Sequence, residues 1–268
     1  MVDKSEKFNW LVRVGYFSRA VLYFVLGLLA LTSAGAISEG TDGIFKAVEE
    51  FPGGTFLLWV LVLGLTAYAL FRFASPLFDI ENNGSDGKGW GKRLGHAGSG
   101  IAHLALAWTA YKVATGSPSG GGGGGASGAA AGVLSVEFGG VVLGLLGIAF
   151  FLAALSQANK AITGKFMHRI SPRAPDATRW LGGAGFAARG VVYVVIGWSL
   201  IQAGFLSSGA SQVKTLGEAV ASLAGTGWLF TLTAAGLLLF GLFSLILARY
   251  RIIPEIDEGQ GVPKFRAT

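Results

Sequence analysis

Two arginines sit in near-identical settings in this sequence. GYFSRAVLYFVLG runs from Gly15 to Gly27, and GFAARGVVYVVIG runs from Gly185 to Gly197. In both, glycine, arginine, tyrosine and glycine follow one another at a spacing of four: Gly15, Arg19, Tyr23, Gly27, then Gly185, Arg189, Tyr193, Gly197. On a helix that spacing keeps the four positions on one slowly rotating face. A guanidinium with a phenol one turn on suits an anionic ligand, since both supply hydrogen-bond donors. A third copy, at Gly95, Ser99, His103 and Ala107, keeps the spacing but puts serine for arginine and histidine for tyrosine. We take Arg19, Tyr23, Ser99, His103, Arg189 and Tyr193 as candidates for binding a ligand or lipid. Gly15, Gly27, Gly95, Gly185 and Gly197 are positions where another helix can approach closely. A structural reading competes. Each arginine opens a long uncharged run, so it lies near a membrane interface, where it can snorkel to lipid phosphate or helix-end carbonyls.

The other reactive residue types carry less. His96 lies seven residues before His103, on the same helical face, but the remaining histidine, His168, falls in a basic loop. There is no cysteine, and no carboxylate stands inside an apolar run. These residues give no metal or haem ligand set, and no cofactor is expected. His103 reads as a packed, hydrogen-bonded histidine or as a proton-sensitive one. DIENNGSDGKGW echoes a calcium loop through Asp79, Glu81 and Asn83, but its twelfth position is Trp90 where glutamate is required. GSPSGGGGGGASGAAAG reads as a flexible low-complexity loop. With no Ser-His-Asp set, paired carboxylates or nucleotide motif, a non-enzymatic protein is expected.

Positioning these residues falls to membrane helices. Of 268 residues, 52% are hydrophobic and only 13% charged, with mean hydropathy +0.57; soluble domains carry about 25% charge. Six apolar runs stand out: Ala20–Ala36, Phe56–Phe73, Ile101–Ala114, Val141–Leu155, Gly190–Phe205 and Trp228–Ala248. With their Gly-rich flanks they reach the roughly 20 residues a span requires. Lys and Arg concentrate in the N-terminal segment, the second and fourth connections and the tail, leaving Lys46, Lys214 and at most Lys112 opposite. That bias places both termini in the cytoplasm, and it accounts for the net charge of +6 without nucleic-acid binding. TSAGA at Thr32–Ala36 looks like a signal cleavage site, but the run before it is longer than a signal core and the pattern recurs at Gly185, so it reads as a span.

The three Gly/Arg/Tyr-type faces open three units. Their second helices repeat more loosely, as Gly64-x-x-x-Tyr68, Gly147-x-x-x-Phe151 and Gly236-x-x-x-Phe240. The fold predicted is an all-α polytopic integral membrane protein: six transmembrane helices as three tandem two-helix repeats, over residues 1–79, 80–168 and 169–268. Successive units keep one orientation, so approximate threefold symmetry about the membrane normal is expected. TDGIFKAVEEF and KTLGEAVASL read as short interfacial helices on the outer leaflet, with Glu49, Glu50 and Glu218 solvated.

RVGYFSRAVLYFVLG, RLGHAGSGIAHLALAWTAYKVATG, GGAGFAARGVVYVVIG and the link FDIENNGSDGKGWGKRLG resemble the bacterial membrane proteins grouped as domain of unknown function 1206. The resemblance implies a six-helix protein of the bacterial inner membrane and no assigned activity. Three functions are therefore carried forward: a membrane scaffold or interaction protein, a lipid-associated envelope protein that binds anionic head groups, and a small channel or transporter lined by the repeat faces. A protein partner or a homo-oligomer is compatible with each.

Overall fold

The computed structural model describes residues 4–32, 40–78, 86–117 and 126–252. Within them the chain is helical: α1 (Lys4–Thr32), α2 (Gly40–Glu49), α3 (Gly54–Phe78), α4 (Gly87–Ala114), α5 (Ala126–Leu134), α6 (Gly139–Thr163), α7 (Thr178–Gly204), α8 (Leu216–Ala221) and α9 (Trp228–Tyr250). Five of these, α1, α3, α6, α7 and α9, are long and apolar enough to cross a membrane. α4 has the length, at 28 residues. Its Lys92, Arg93, His96, His103 and several glycines dilute its apolar character, so the predicted sixth span does not qualify on composition. The link from 79 to 85, the Gly tract at 118–125, the 33–39 segment and the tail beyond 252 lie outside the described residues.

The long helices pack in the order α4–α3–α1–α9–α7–α6. This order is cyclic by repeat: the second helix of each unit lies against the first helix of the next, and α9 of the third unit returns to α1. Within units, α1 packs on α3 and α7 on α9, as predicted. The middle unit departs from the hairpin reading, because α4 and α6 share no such interface. The result is an open ring, broken inside the middle repeat.

Glycine makes the ring's close approaches. A Cβ at Gly15 would lie 2.8 Å from Tyr68 Cβ, and one at Gly185 would lie 2.6 Å from Phe240 Cβ. A Cβ at Gly27 would meet backbone of α9, 2.5 Å from Leu238 N, and one at Gly197 would lie 3.0 Å from the Gly147 carbonyl of α6. In lipid such van der Waals contact, rather than a hydrophobic driving force, holds helices together. Gly95 is the exception: a Cβ there would have no neighbour within 4 Å among the described residues. Its assignment as a packing glycine is thus corrected, while His103 and Ala107 of the same copy are buried.

The short helices also depart from the sequence reading. The apolar face of α2 turns into the helix bundle: Ile44, Phe45 and Val48 are buried, and it packs on α3, α4 and α8. Only Phe51 of the predicted apolar face is exposed. α8 is started by a capping box in which Glu218 N donates to Thr215 Oγ1 (3.3 Å) and Thr215 N donates to Glu218 Oε2 (2.6 Å). Glu218 is therefore a cap rather than a free solvated acid. The second part of GSPSGGGGGGASGAAAG, a loop by its composition, instead begins α5, whose Ala130 is buried. Alanine accounts for much of that, being the strongest helix former.

Candidate functional site

Arg19 is the most enclosed cation of the described residues, at 5% exposure. Its helix position turns it toward α3 and α9, where Gly15 lets Tyr68 approach. The guanidinium donates from Nη1 to the Tyr68 hydroxyl (2.8 Å) and from Nε to Ser244 Oγ (3.1 Å). Ser244 in turn donates to the Phe240 carbonyl one turn back (2.8 Å). Three rings surround the charge, with centroids 4.6 Å (Tyr16), 5.0 Å (Phe240) and 5.3 Å (Tyr68) from Cζ. The expectation that Arg19 snorkels to an interface is overturned by this inward geometry. A different arginine performs the helix-end role: Arg13 donates to the Ala248 and Arg249 carbonyls at the end of α9.

Arg189 reaches the same centre from the third repeat. It bonds the Tyr193 hydroxyl one turn on, as the four-residue spacing implies. Its Cζ lies 4.6 Å from the Phe240 centroid, 5.0 Å from Tyr193 and 5.4 Å from Tyr23. Tyr23 itself is buried edge-on against Phe240, at 4.9 Å. Phe240 thus carries both arginines within 5.0 Å of its centre. Their Cζ atoms are therefore no more than about 10 Å apart, a separation at which two unit charges repel by roughly 2 kcal/mol at an effective dielectric of about 20. Aromatic faces offset part of this, at about 2 kcal/mol or more for a desolvated pair. Among the described residues no carboxylate pairs with either guanidinium, and the Arg189 Nε–H is buried without a hydrogen-bond partner.

The middle copy contributes His103, 7% exposed, whose ring lies 4.5 Å from that of Tyr68. Its Nδ1 donates to the Ser99 carbonyl (2.7 Å). So Ser99 takes part through its backbone at the position where the other copies have arginine. Structure therefore brings five of the six candidate side chains, Arg19, Tyr23, His103, Arg189 and Tyr193, around Tyr68 and Phe240.

Tyr16, Tyr68, Phe240 and Ser244 were not among the sequence candidates. A signal for them existed: Tyr68 and Phe240 occupy the last place of the second-helix repeat, and Ser244 is a lone polar residue inside GLFSLILA. Only the packing of α3 and α9 on α1 turns this face toward Arg19. A third arginine, Arg72 of α3, lies 5.1 Å from the Tyr68 centroid and contacts His96. His96, through Arg72, and His103, directly, are both linked to the Tyr68 ring. An apolar groove of about 510 Å³, lined by residues such as Phe151, Leu155, Gly190 and Val194, runs between α6 and α7 away from these polar groups.

Comparison with known proteins agrees with this threefold layout. The family described as Domain of Unknown Function (DUF1206) matches residues 14–78, 94–164 and 184–251, one segment per repeat. The chain is also similar to "Uncharacterized protein YxxB" of Bacillus subtilis (strain 168), with 28% identity over 261 residues, covering 92% of this chain and 94% of that protein. No solved structure matches.

Proposed function

This chain belongs to the DUF1206 family, and we propose that it is a non-enzymatic, multi-pass protein of the inner membrane that holds an anionic group beside Arg19 and Arg189. Both termini are cytoplasmic in this reading, and α4 completes six spans by packing its less apolar face against α2 and α3. One observation carries the proposal: two arginines share the Phe240 ring, and no carboxylate among the described residues neutralises them. Burying a charge away from water is costly unless it is paired, and within a bilayer an ionisable residue marks a binding site more often than a scaffold element. Anionic lipid is the abundant source of such a group, which makes this the lipid-associated form of the function.

The scaffold reading rests on a separate observation, the backbone-to-backbone approach at Gly27 and Gly197. One experiment separates the two. Protein purified in detergent and reconstituted in nanodiscs with phosphatidylcholine alone or with added anionic lipid is analysed by native mass spectrometry. Wild type is expected to retain anionic lipid. The double variant Arg19→Met, Arg189→Met is expected to lose it by more than about tenfold, the equivalent of one charge-assisted hydrogen bond. Equal retention by a folded double variant would favour the scaffold.

A further inference from the structure

Resting on the anion reading, we infer that the group held beside the arginines is a protic oxyanion of the phosphomonoester class, with His103 as the acceptor for its P–OH. The argument begins from hydrogen-bond direction. A carbonyl oxygen only accepts, so the bond from His103 Nδ1 to Ser99 O requires the proton on Nδ1. In the neutral ring Nε2 then presents a lone pair, and that atom is buried with no partner. His103 itself is more than nine-tenths buried. Such an acceptor stays in a folded core only when something satisfies it.

Its neighbours show what that something must be. His103 and Arg19 both rest on the ring of Tyr68, and Arg189 adds a buried, unpartnered Nε–H beside Phe240, the ring that Arg19 also touches. The arginines can only donate, so they require an oxyanion. His103 Nε2 accepts, so it requires a hydroxyl or another donor. A phosphodiester offers only acceptors at its phosphorus. A phosphomonoester carrying one proton offers both on a single phosphorus. The substitution in the middle repeat has this consequence: where the outer copies put tyrosine hydroxyls at Tyr23 and Tyr193, position 103 puts an acceptor without a proton of its own.

The fold supplies a route. α4, which carries His103, borders the break in the ring and packs against a long neighbour only on its α3 side. Like α6 on the far side of the break, it lacks the second long neighbour that α1, α3, α7 and α9 each have. Phosphate on a lipid and phosphate in solution share the required chemistry, and the test separates them.

Full-length protein in phosphatidylcholine nanodiscs is offered phosphatidic acid, a monoester, or phosphatidylmethanol, its methyl diester, and retention is read by native mass spectrometry. At about pH 5, below the second phosphate pKa near 6, each lipid carries about one negative charge. Wild type is expected to prefer phosphatidic acid by about tenfold, the effect of one satisfied buried hydrogen bond. His103→Phe keeps the aromatic contact with Tyr68 and is expected to remove that preference. Inorganic phosphate is added as competitor: displacement of phosphatidic acid names a soluble ligand, and failure to displace names the lipid, both in support. Equal retention of the two lipids by wild type, which involves no variant at all, overturns the inference. If the Arg19→Met, Arg189→Met protein loses both lipids while wild type holds them equally, the anion reading stands and only the role of His103 falls. If that double variant still holds both, the anion reading falls with it.

Discussion

The outer repeats and the middle repeat start from the same spacing and end in different environments. In the first and third, a glycine faces an aromatic residue of its partner helix: Gly15 meets Tyr68, and Gly185 meets Phe240. An arginine one turn on then has rings and hydroxyls to rest against. In the middle, Gly95 faces no neighbour among the described residues, and its two helices part company: α4 joins the first unit and α6 the third. A repeat can therefore be kept in sequence while its pairwise packing is given up, provided each of its helices finds a neighbour in the adjacent unit. The cyclic contact is the more durable feature of this architecture, and the hairpin the more dispensable.

Three measurements can break that comparison or sharpen it. The largest effect is all-or-none. Because the sequence lacks cysteine, introduced pairs report cleanly. With a short bismaleimide, Trp59→Cys and Tyr111→Cys, on α3 and α4 with ring centroids 5.8 Å apart, are expected to cross-link nearly to completion. Leu104→Cys and Leu145→Cys, exposed residues on α4 and α6, are expected to give no product. Efficient cross-linking of that second pair would mean that the ring closes in the membrane and that the middle unit is a hairpin after all.

Next comes glycine replacement, followed by thermal unfolding in one detergent. Gly27→Ala pushes a methyl to 2.5 Å from Leu238 N, where backbone has no room to yield, and is expected to cost about 3 kcal/mol. Gly95→Ala meets open space and is expected to be neutral or to stabilise by up to about 1 kcal/mol through helix propensity. Equal losses at both positions would refute the contrast between the copies.

The smallest effect concerns the two short helices that pack on each other, α2 and α8. Glu218→Ala removes one half of the capping box and is expected to cost about 1 kcal/mol. Glu49→Ala, on the exposed end of α2, is expected to stay within about 0.5 kcal/mol. Hydrogen exchange of the α8 amides in the two variants checks the assignment locally.

Much of this was legible in the sequence because duplication writes itself into residue spacing. The four-residue ladder at Gly15 and Gly185 fixed the helical face, and the structure puts Arg19 and Arg189 of that face around one ring. Five apolar helices followed from run length alone. What could not be read was direction. Arg19 opens an uncharged run, and nothing in a linear run distinguishes a guanidinium that turns out to lipid from one that turns in to Tyr68 and Ser244; that depends on which helix stands opposite. Gly95 misled for the same reason, since its spacing was intact and its neighbour absent. α5 was hidden by composition: Ala-rich and Gly-rich stretches share small residues, but alanine favours the helix that glycine disfavours.

The cyclic packing also has a consequence for biosynthesis. Arg19 finds one hydroxyl partner, Tyr68, 49 residues downstream, and the other, Ser244, 225 residues downstream. Arg13 reaches carbonyls still later in the chain, at Ala248 and Arg249. Translation delivers residues at about 5–20 per second, so α1 must dwell for at least some ten seconds with its buried arginine only half served. During that interval the helix is an open client, suited to whatever insertion machinery or lipid phosphate can hold a guanidinium until α9 arrives beside it.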